Sequence, residues 1–187
     1  MAEGSGNFHQ RSLPPGAELL VAPGEVSAAL DALAGELQPL IDDGPCVLLS
    51  VLLGGLLPTA WLAGRLIGDF QLDYCHVTRY QGRQKGDVPV WLRAPSLDIR
   101  SAHVIVVDDI YDEGITLDYV RRECQAAGAQ RVTSVALIKK CHDRAVGQAP
   151  ADFVGLEVPD RYVFGCGMDL AHHWRHLTGI YALQEVS

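Results

Sequence analysis

Asp108 and Asp109 stand side by side; Asp112 follows three residues on, and then Gly114 and Thr116. Adjacent carboxylates accept hydrogen bonds from a diol such as that of ribose, and they are hard oxygen donors for a cation such as Mg²⁺. A turn carrying Asp, Gly and Thr ahead of a helix offers free backbone N–H groups and a hydroxyl to an anion. The spacing therefore fits a phosphate ester beside a hydroxylated group with a cation nearby. Neither G-x-x-x-x-G-K-[ST] nor G-x-G-x-x-G occurs, which argues against a nucleoside triphosphate or dinucleotide cradle. Gly54-Gly55 is a second place where backbone could approach an anion closely.

These residues need a scaffold that delivers them to one edge. Val104 to Val107 is a run of four β-branched apolar residues, suited to a strand buried on both faces of a parallel sheet. The run is expected to stop at Asp108-Asp109. After the turn, Leu117, Val120, Cys124 and Ala127 recur at helical spacing, with Gly128 at the expected C-terminus. In open α/β sheets such a turn lies at the carboxyl end of the strands, where ligands bind. Cys46 to Leu53 reads as another buried strand, entering Gly54-Gly55 ahead of a helix over Leu57, Ala60, Trp61 and Gly64. Leu72 to Tyr80 and Val88 to Arg93 read as strands joined by a polar hairpin connection, and Arg131 to Ile138 as a strand ending at Lys139-Lys140. From Pro23, the positions Val26, Ala29, Leu30, Leu33, Leu37 and Leu40 mark one helical face, with Gly35 and Pro39 weakening its middle and end.

A chain of 187 residues, 48% hydrophobic and 20% charged, suits a single domain, 1–187, with a sizeable core and room for a small subdomain. Residues 1–16, rich in Gly, Pro and small polar types, read as a flexible start. The net charge of −8 and the lack of a Lys/Arg run argue against a polyanion-binding surface, so no nucleic-acid partner is expected. Five cysteines without a C-x-x-C pair, and no apolar secretory segment, point to reduced thiols and a cytoplasmic protein. No apolar run approaches a membrane span.

The run VIVVDDIYDEGIT, 104–116, resembles the phosphoribosyl-pyrophosphate signature of the type I phosphoribosyltransferases. Its flanks are most similar to the hypoxanthine-guanine branch. The segment Asp152 to Asp169, with Arg175 six residues on, matches that branch in order and spacing. The resemblance implies an α/β fold: a central, mostly parallel sheet flanked by helices, with a small hood from the terminal segments, about 152–187 plus N-terminal residues. It implies transfer of 5-phosphoribosyl to hypoxanthine or guanine, with xanthine preference or an RNA-binding regulator of the same fold as alternatives. Homodimers or homotetramers are usual in the family.

Carried over residue by residue, the resemblance makes Asp108 and Asp109 contacts of the ribose hydroxyls and of Mg²⁺. The run Asp112, Glu113, Gly114, Ile115 and Thr116 becomes the 5′-phosphate turn, with Asp112 also the catalytic base. Gly54 and Gly55 fall in the pyrophosphate loop, which the family writes Leu-Lys-Gly-Gly with a cis peptide before the Lys; here Leu53 replaces that Lys. Lys139 corresponds to the donor to the purine 6-oxo group, Tyr162 to the stacking aromatic, and Val163 to the backbone reading the base edge. Asp169 corresponds to a metal ligand and Arg175 to the pyrophosphate-holding guanidinium, while Arg79-Tyr80 stands where a Ser-Tyr pair opens the family's flexible loop.

Glu113 replaces a small hydroxyl residue of many members and is expected to point away from phosphate, which its charge would repel. Cys141-His142-Asp143 is not expected to be catalytic, because three neighbours on one turn do not orient a nucleophile against a base. His172 and His176 share a face if that segment is helical, but no accompanying Glu makes an H-E-x-x-H site, so no transition metal is expected there.

Overall fold

The computed structural model describes residues 13–80, 88–142, 144 and 149–184. The elements run β1 (Ala17–Val21), α1 (Pro23–Asp42), β2 (Cys46–Leu52), α2 (Leu56–Ala63), β3 (Phe70–Tyr80) and β4 (Val88–Arg93). There follow β5 (His103–Tyr111), α3 (Ile115–Ala126), β6 (Arg131–Cys141), β7 (Phe153–Pro159), β8 (Val163–Phe164) and β9 (Ile180–Leu183). The large sheet has the order β4-β3-β2-β5-β6-β7, parallel except for the antiparallel edge strand β4. Both faces are covered. Leu48, Ile105, Val107 and Leu137 face α1 and α2, whereas Val47, Leu49, Val104 and Val106 face α3. Burial on both sides explains why 46–51 and 103–107 read as continuous apolar runs rather than alternating ones.

The chain leaves β2 outward to β3 and β4, then returns to lay β5 on the opposite edge of β2. Strand order thus reverses between β2 and β5, and the crevice at their carboxyl ends is where such sheets hold ligands. The β2–β5 ladder runs from Cys46 opposite His103 to Ser50 opposite Val107, so Gly54-Gly55 and Asp108-Asp109 emerge at one end.

A second, three-stranded sheet, β1-β9-β8, is antiparallel and built from both ends of the chain. It is smaller than expected. Residues 153–159, assigned to the hood from sequence, are the outer strand β7 of the large sheet, where Val154 lies opposite Ala136 and Leu156 opposite Ile138. β5 does not stop at its acids either. It pairs with β6 through Asp108 and on to Tyr111, because β6 itself continues to Cys141 and supplies the ladder. α1 runs through Gly35 and Pro39 to Asp42, since the buried face of Val26, Leu30, Leu33, Leu37 and Ile41 outweighs those two local costs. Tyr80 closes β3 opposite Val88, and the expected hairpin connection, 81–87, lies outside the described residues, as do 1–12 of the N-terminal stretch. Among the described residues no helix is long and apolar enough to cross a membrane.

Candidate active site

A cavity of about 300 Å³ opens at the carboxyl ends of β2 and β5. It is lined by Leu52, Asp108, Asp109 and the turn Asp112 to Thr116. The turn reaches α3 through Gly114, whose φ of +75° is the left-handed conformation that favours glycine. A Cβ there would also strike the Tyr111 ring 2.5 Å from its hydroxyl oxygen. The first-turn amides of α3 have no intrahelical acceptor and face the turn, the arrangement that attracts a phosphate.

Asp108 and Asp109 keep only 8% and 7% of their surface. Asp109 N–H donates to the Asp108 carboxylate at 2.9 Å. Burial raises both carboxyls above the usual range, and for Asp108 the Asp109 charge adds to the rise. For Asp109, hydrogen bonding to Asp108 and the positive charge of Arg175 offset part of it. Neither carboxylate forms a salt bridge among the described residues. A side chain at Gly54 would overlap the Asp109 carboxylate, and one at Gly167 would overlap the Gly54 carbonyl and lie 3.1 Å from Asp109 Cβ. Two glycines on separate turns therefore close around one carboxylate. The Leu52–Leu53 peptide is cis, at the position where the resembled loop has its cis bond, and the Leu53 side chain is 53% exposed.

Asp112 lies in a different setting. Lys140 Nζ donates to its Oδ2 at 2.9 Å, His142 Nε2 lies 2.7 Å from Oδ1, and the Arg144 guanidinium is 3.5 Å from Oδ1. Partial burial alone would raise this carboxyl; the hydrogen bonds of Lys140 and His142 and the charge of Lys140 outweigh it and hold the group below its usual value. Sequence reading assigned Lys139 and passed over Lys140 and His142. Successive strand residues face opposite sides, so Lys140 meets Asp112 while Lys139 pairs with Glu157 at 3.0 Å on the exposed side. His142 acts with a residue 30 positions away while Cys141 Sγ faces Glu157 at 3.6 Å, which is why the local triplet carried no signal; Asp143 lies outside the described residues.

Outside the cavity lining, Val163 is buried and Tyr162 is 57% exposed, its hydroxyl donating to the Asp169 carbonyl at 3.2 Å. Asp169 accepts from Arg175 at 2.5 Å and from His172 N–H at 2.8 Å, and Arg175 also donates to the Gly167 carbonyl at 2.6 Å. The helical face considered for His172 and His176 does not form. His172 and Trp174 have φ of 66° and 70°, and Leu170 bridges His173 in a tight antiparallel turn.

Residues 18–173 match the family described as Phosphoribosyl transferase domain. The chain belongs to that family. It is 28% identical to a hypoxanthine-guanine phosphoribosyltransferase of Bacillus subtilis, over 89% of this chain and 93% of the relative. It is 31% identical to the enzyme of that name from Crithidia fasciculata, over 78% and 72%. A hypoxanthine phosphoribosyltransferase from Staphylococcus aureus superposes with a TM-score of 0.83 at 23% identity, covering 89% of this chain and 91% of that one. The type I phosphoribosyltransferase fold expected from the 104–116 signature is thus the fold found.

Proposed function

We propose that this phosphoribosyltransferase works in purine salvage, moving 5-phosphoribosyl from phosphoribosyl pyrophosphate to hypoxanthine or guanine and releasing pyrophosphate. The observation that carries the reading is the meeting of Asp108-Asp109 and the Asp112–Thr116 turn around one cavity, with Gly54 packed against Asp109. The relatives' names supply the substrate class.

The 5′-phosphate is held by the amides of the turn and by the Thr116 hydroxyl, with the Glu113 side chain directed away. Asp108 and Asp109 accept from the ribose hydroxyls. Two buried all-oxygen donors with raised carboxyls and no salt-bridge partner among the described residues suit a hard divalent cation, so Mg²⁺ is the cofactor we assign to them, with Asp169 as a further ligand. When bound, Mg²⁺ neutralises charge on the departing pyrophosphate. Arg175, already extended between Asp169 and the Gly167 carbonyl, has further N–H donors for that group. The Gly54 amide gives to the same oxygens, the Gly55 N–H being bonded to the Val51 carbonyl at 2.8 Å, while Leu53 adds no charge there.

The base stacks on Tyr162, and the Val163 backbone reads its edge. Lys139 selects a 6-oxo acceptor; its exposed pairing with Glu157 is worth little and is readily exchanged. As the ribosyl bond to pyrophosphate breaks and the bond to purine nitrogen forms, Asp112 takes the proton from purine N7. Two or four copies are the expected assembly, to be read by light scattering. The transferase reading is tested by offering hypoxanthine, guanine, xanthine, adenine and uracil with phosphoribosyl pyrophosphate, with and without Mg²⁺. Hypoxanthine and guanine should release pyrophosphate only when Mg²⁺ is present; silence from both while uracil reacts would remove the assignment.

A further inference from the structure

Asp112 is more tightly organised than a group that merely caps a helix. Its Oδ1 faces His142 Nε2 at 2.7 Å, and the other ring nitrogen, Nδ1, accepts the Arg144 backbone N–H at 3.0 Å. A nitrogen that accepts from an amide carries no proton, so the neutral ring must hold its hydrogen on Nε2 and donate to Asp112. The same Arg144 sends its guanidinium to both oxygens of Asp160, at 2.5 and 2.7 Å. Asp160 lies two residues before Tyr162. The His142 side chain is only 8% exposed and, with Asp112 and Asp160, forms a cluster whose ligand atoms lie within 4.8 Å. An unbroken set of hydrogen bonds therefore runs from the phosphate turn after β5, across the end of β6, to the segment carrying Tyr162 and Val163.

We infer that His142 is a positioning residue for the transferase step: as an Nε2–H donor it fixes the Asp112 carboxylate, and through Arg144 and Asp160 it registers that carboxylate against the purine-binding segment. The inference rests on the transferase reading and on Asp112 as the group facing N7. Lys140 supplies charge to Oδ2 but comes from a flexible side chain with rotatable donors, so it sets no ring plane or direction. The imidazole does. A base held in the wrong direction by even 1 Å loses about 10²-fold in rate. The bridge also explains how two loops far apart in sequence come to share one reacting centre without a covalent tie.

The conservative variants separate the two ring nitrogens. His142→Asn places an acceptor near Nδ1 and keeps the Arg144 bond but gives Asp112 no donor. His142→Gln extends an amide N–H₂ to about the place of Nε2. H142N should lower kcat roughly 10- to 100-fold with KM for phosphoribosyl pyrophosphate little changed, and H142Q should recover most of the rate. In an Asp112→Asn background, H142N should cost almost nothing more, because residues acting as a unit are non-additive. ¹⁵N NMR of the wild-type ring should report the Nε2-protonated tautomer, a reading independent of turnover. An Nδ1-protonated ring, an H142N enzyme as fast as wild type, or losses that add in the double variant would each overturn the positioning role. A wild type inactive on every 6-oxopurine would remove the transferase reading and this inference together; a wild type that is active leaves the variants to decide the inference alone.

Discussion

Asp109 and Asp112 are three residues apart at the end of one strand, yet the protein surrounds them in opposite ways. Asp109 is buried against Gly54 and Gly167 with no hydrogen-bonded cation among the described residues, and its carboxyl is pushed up. Asp112 is about one-third exposed, is bonded by Lys140 and His142, and is held down. The difference comes from what faces each side chain. The end of β5 turns Asp109 toward the β2 loop, where it meets the backbone of Gly54. Beyond it, the turn brings Asp112 toward the end of β6, where two basic residues wait. A pair with raised carboxyls is suited to receive a cation or hydroxyl donors. A carboxylate kept ionised presents an unprotonated acceptor at a fixed place.

The largest effect should come from removing that proton acceptor. Asp112→Asn should lower kcat by about 10²- to 10⁴-fold, the usual contribution of general acid–base catalysis, with KM for phosphoribosyl pyrophosphate nearly unchanged. The structure adds a cost, because both oxygens now accept and an amide turns one of them into a donor facing Lys140 or His142. With a third of the side chain in water, we expect a stability loss of about 1 kcal/mol. Single-turnover rates and a melting curve measure both. A lowered melting temperature with an unchanged rate would make Asp112 structural and dissolve the contrast.

The buried pair should answer differently. Gly54→Ala puts a methyl group on the Asp109 carboxylate, which must move. We expect kcat/KM for phosphoribosyl pyrophosphate to fall roughly 10²-fold and the Mg²⁺ concentration for half-maximal rate to rise. Retained kcat/KM and Mg²⁺ response would mean that the Asp109 position does not matter for the ligand.

How far the sequence foretold this differs between the two settings for a physical reason. Val104 to Val107 announced a doubly buried strand, and Asp108 to Thr116 announced the ligand end, because strand and turn chemistry are local. The approach of Gly54 and Gly167 to Asp109 depends on how two separate turns fold over the β2–β5 crevice, and no local pattern encodes it. The Lys139–Lys140 choice turned on which face of β6 each residue takes, and β6 ran three residues past the expected end at Ile138. His142 carries no local signal, because its partner, Asp112, comes from the turn after the neighbouring strand β5. Residues 153–159 were placed in the hood by position along the chain, whereas the exposed ladder edge of β6 claimed them.

Asp73 extends the comparison to a carboxylate with neither a cation nor a deep pocket. Its oxygens accept the backbone N–H groups of Tyr74 at 2.8 Å, Ser96 at 2.6 Å and Leu97 at 2.9 Å, tying the β4–β5 connection to β3. Burial would raise the carboxyl, but these amides and the Ser96 hydroxyl more than offset it, so its pKa lies below the ordinary value. A depressed carboxyl adds stability above its unfolded pKa of about 3.9, and that stability disappears as pH falls through the lower folded value. Asp73→Asn should thus cost about 1 kcal/mol at pH 7, the lower end for bonds to a charged acceptor because the site is partly exposed. For a chain of this size that is a fall of roughly 2 to 4 °C in melting temperature. Asp73 does not line the cavity, so kcat should be unchanged. Urea unfolding of both proteins at pH 7, 5 and 3 should show the gap unchanged between pH 7 and 5 and narrowed at pH 3. A gap that stays constant with pH would mean that the amides bind the neutral and charged forms alike, and backbone N–H groups alone would then not suffice to hold a carboxylate down in this fold.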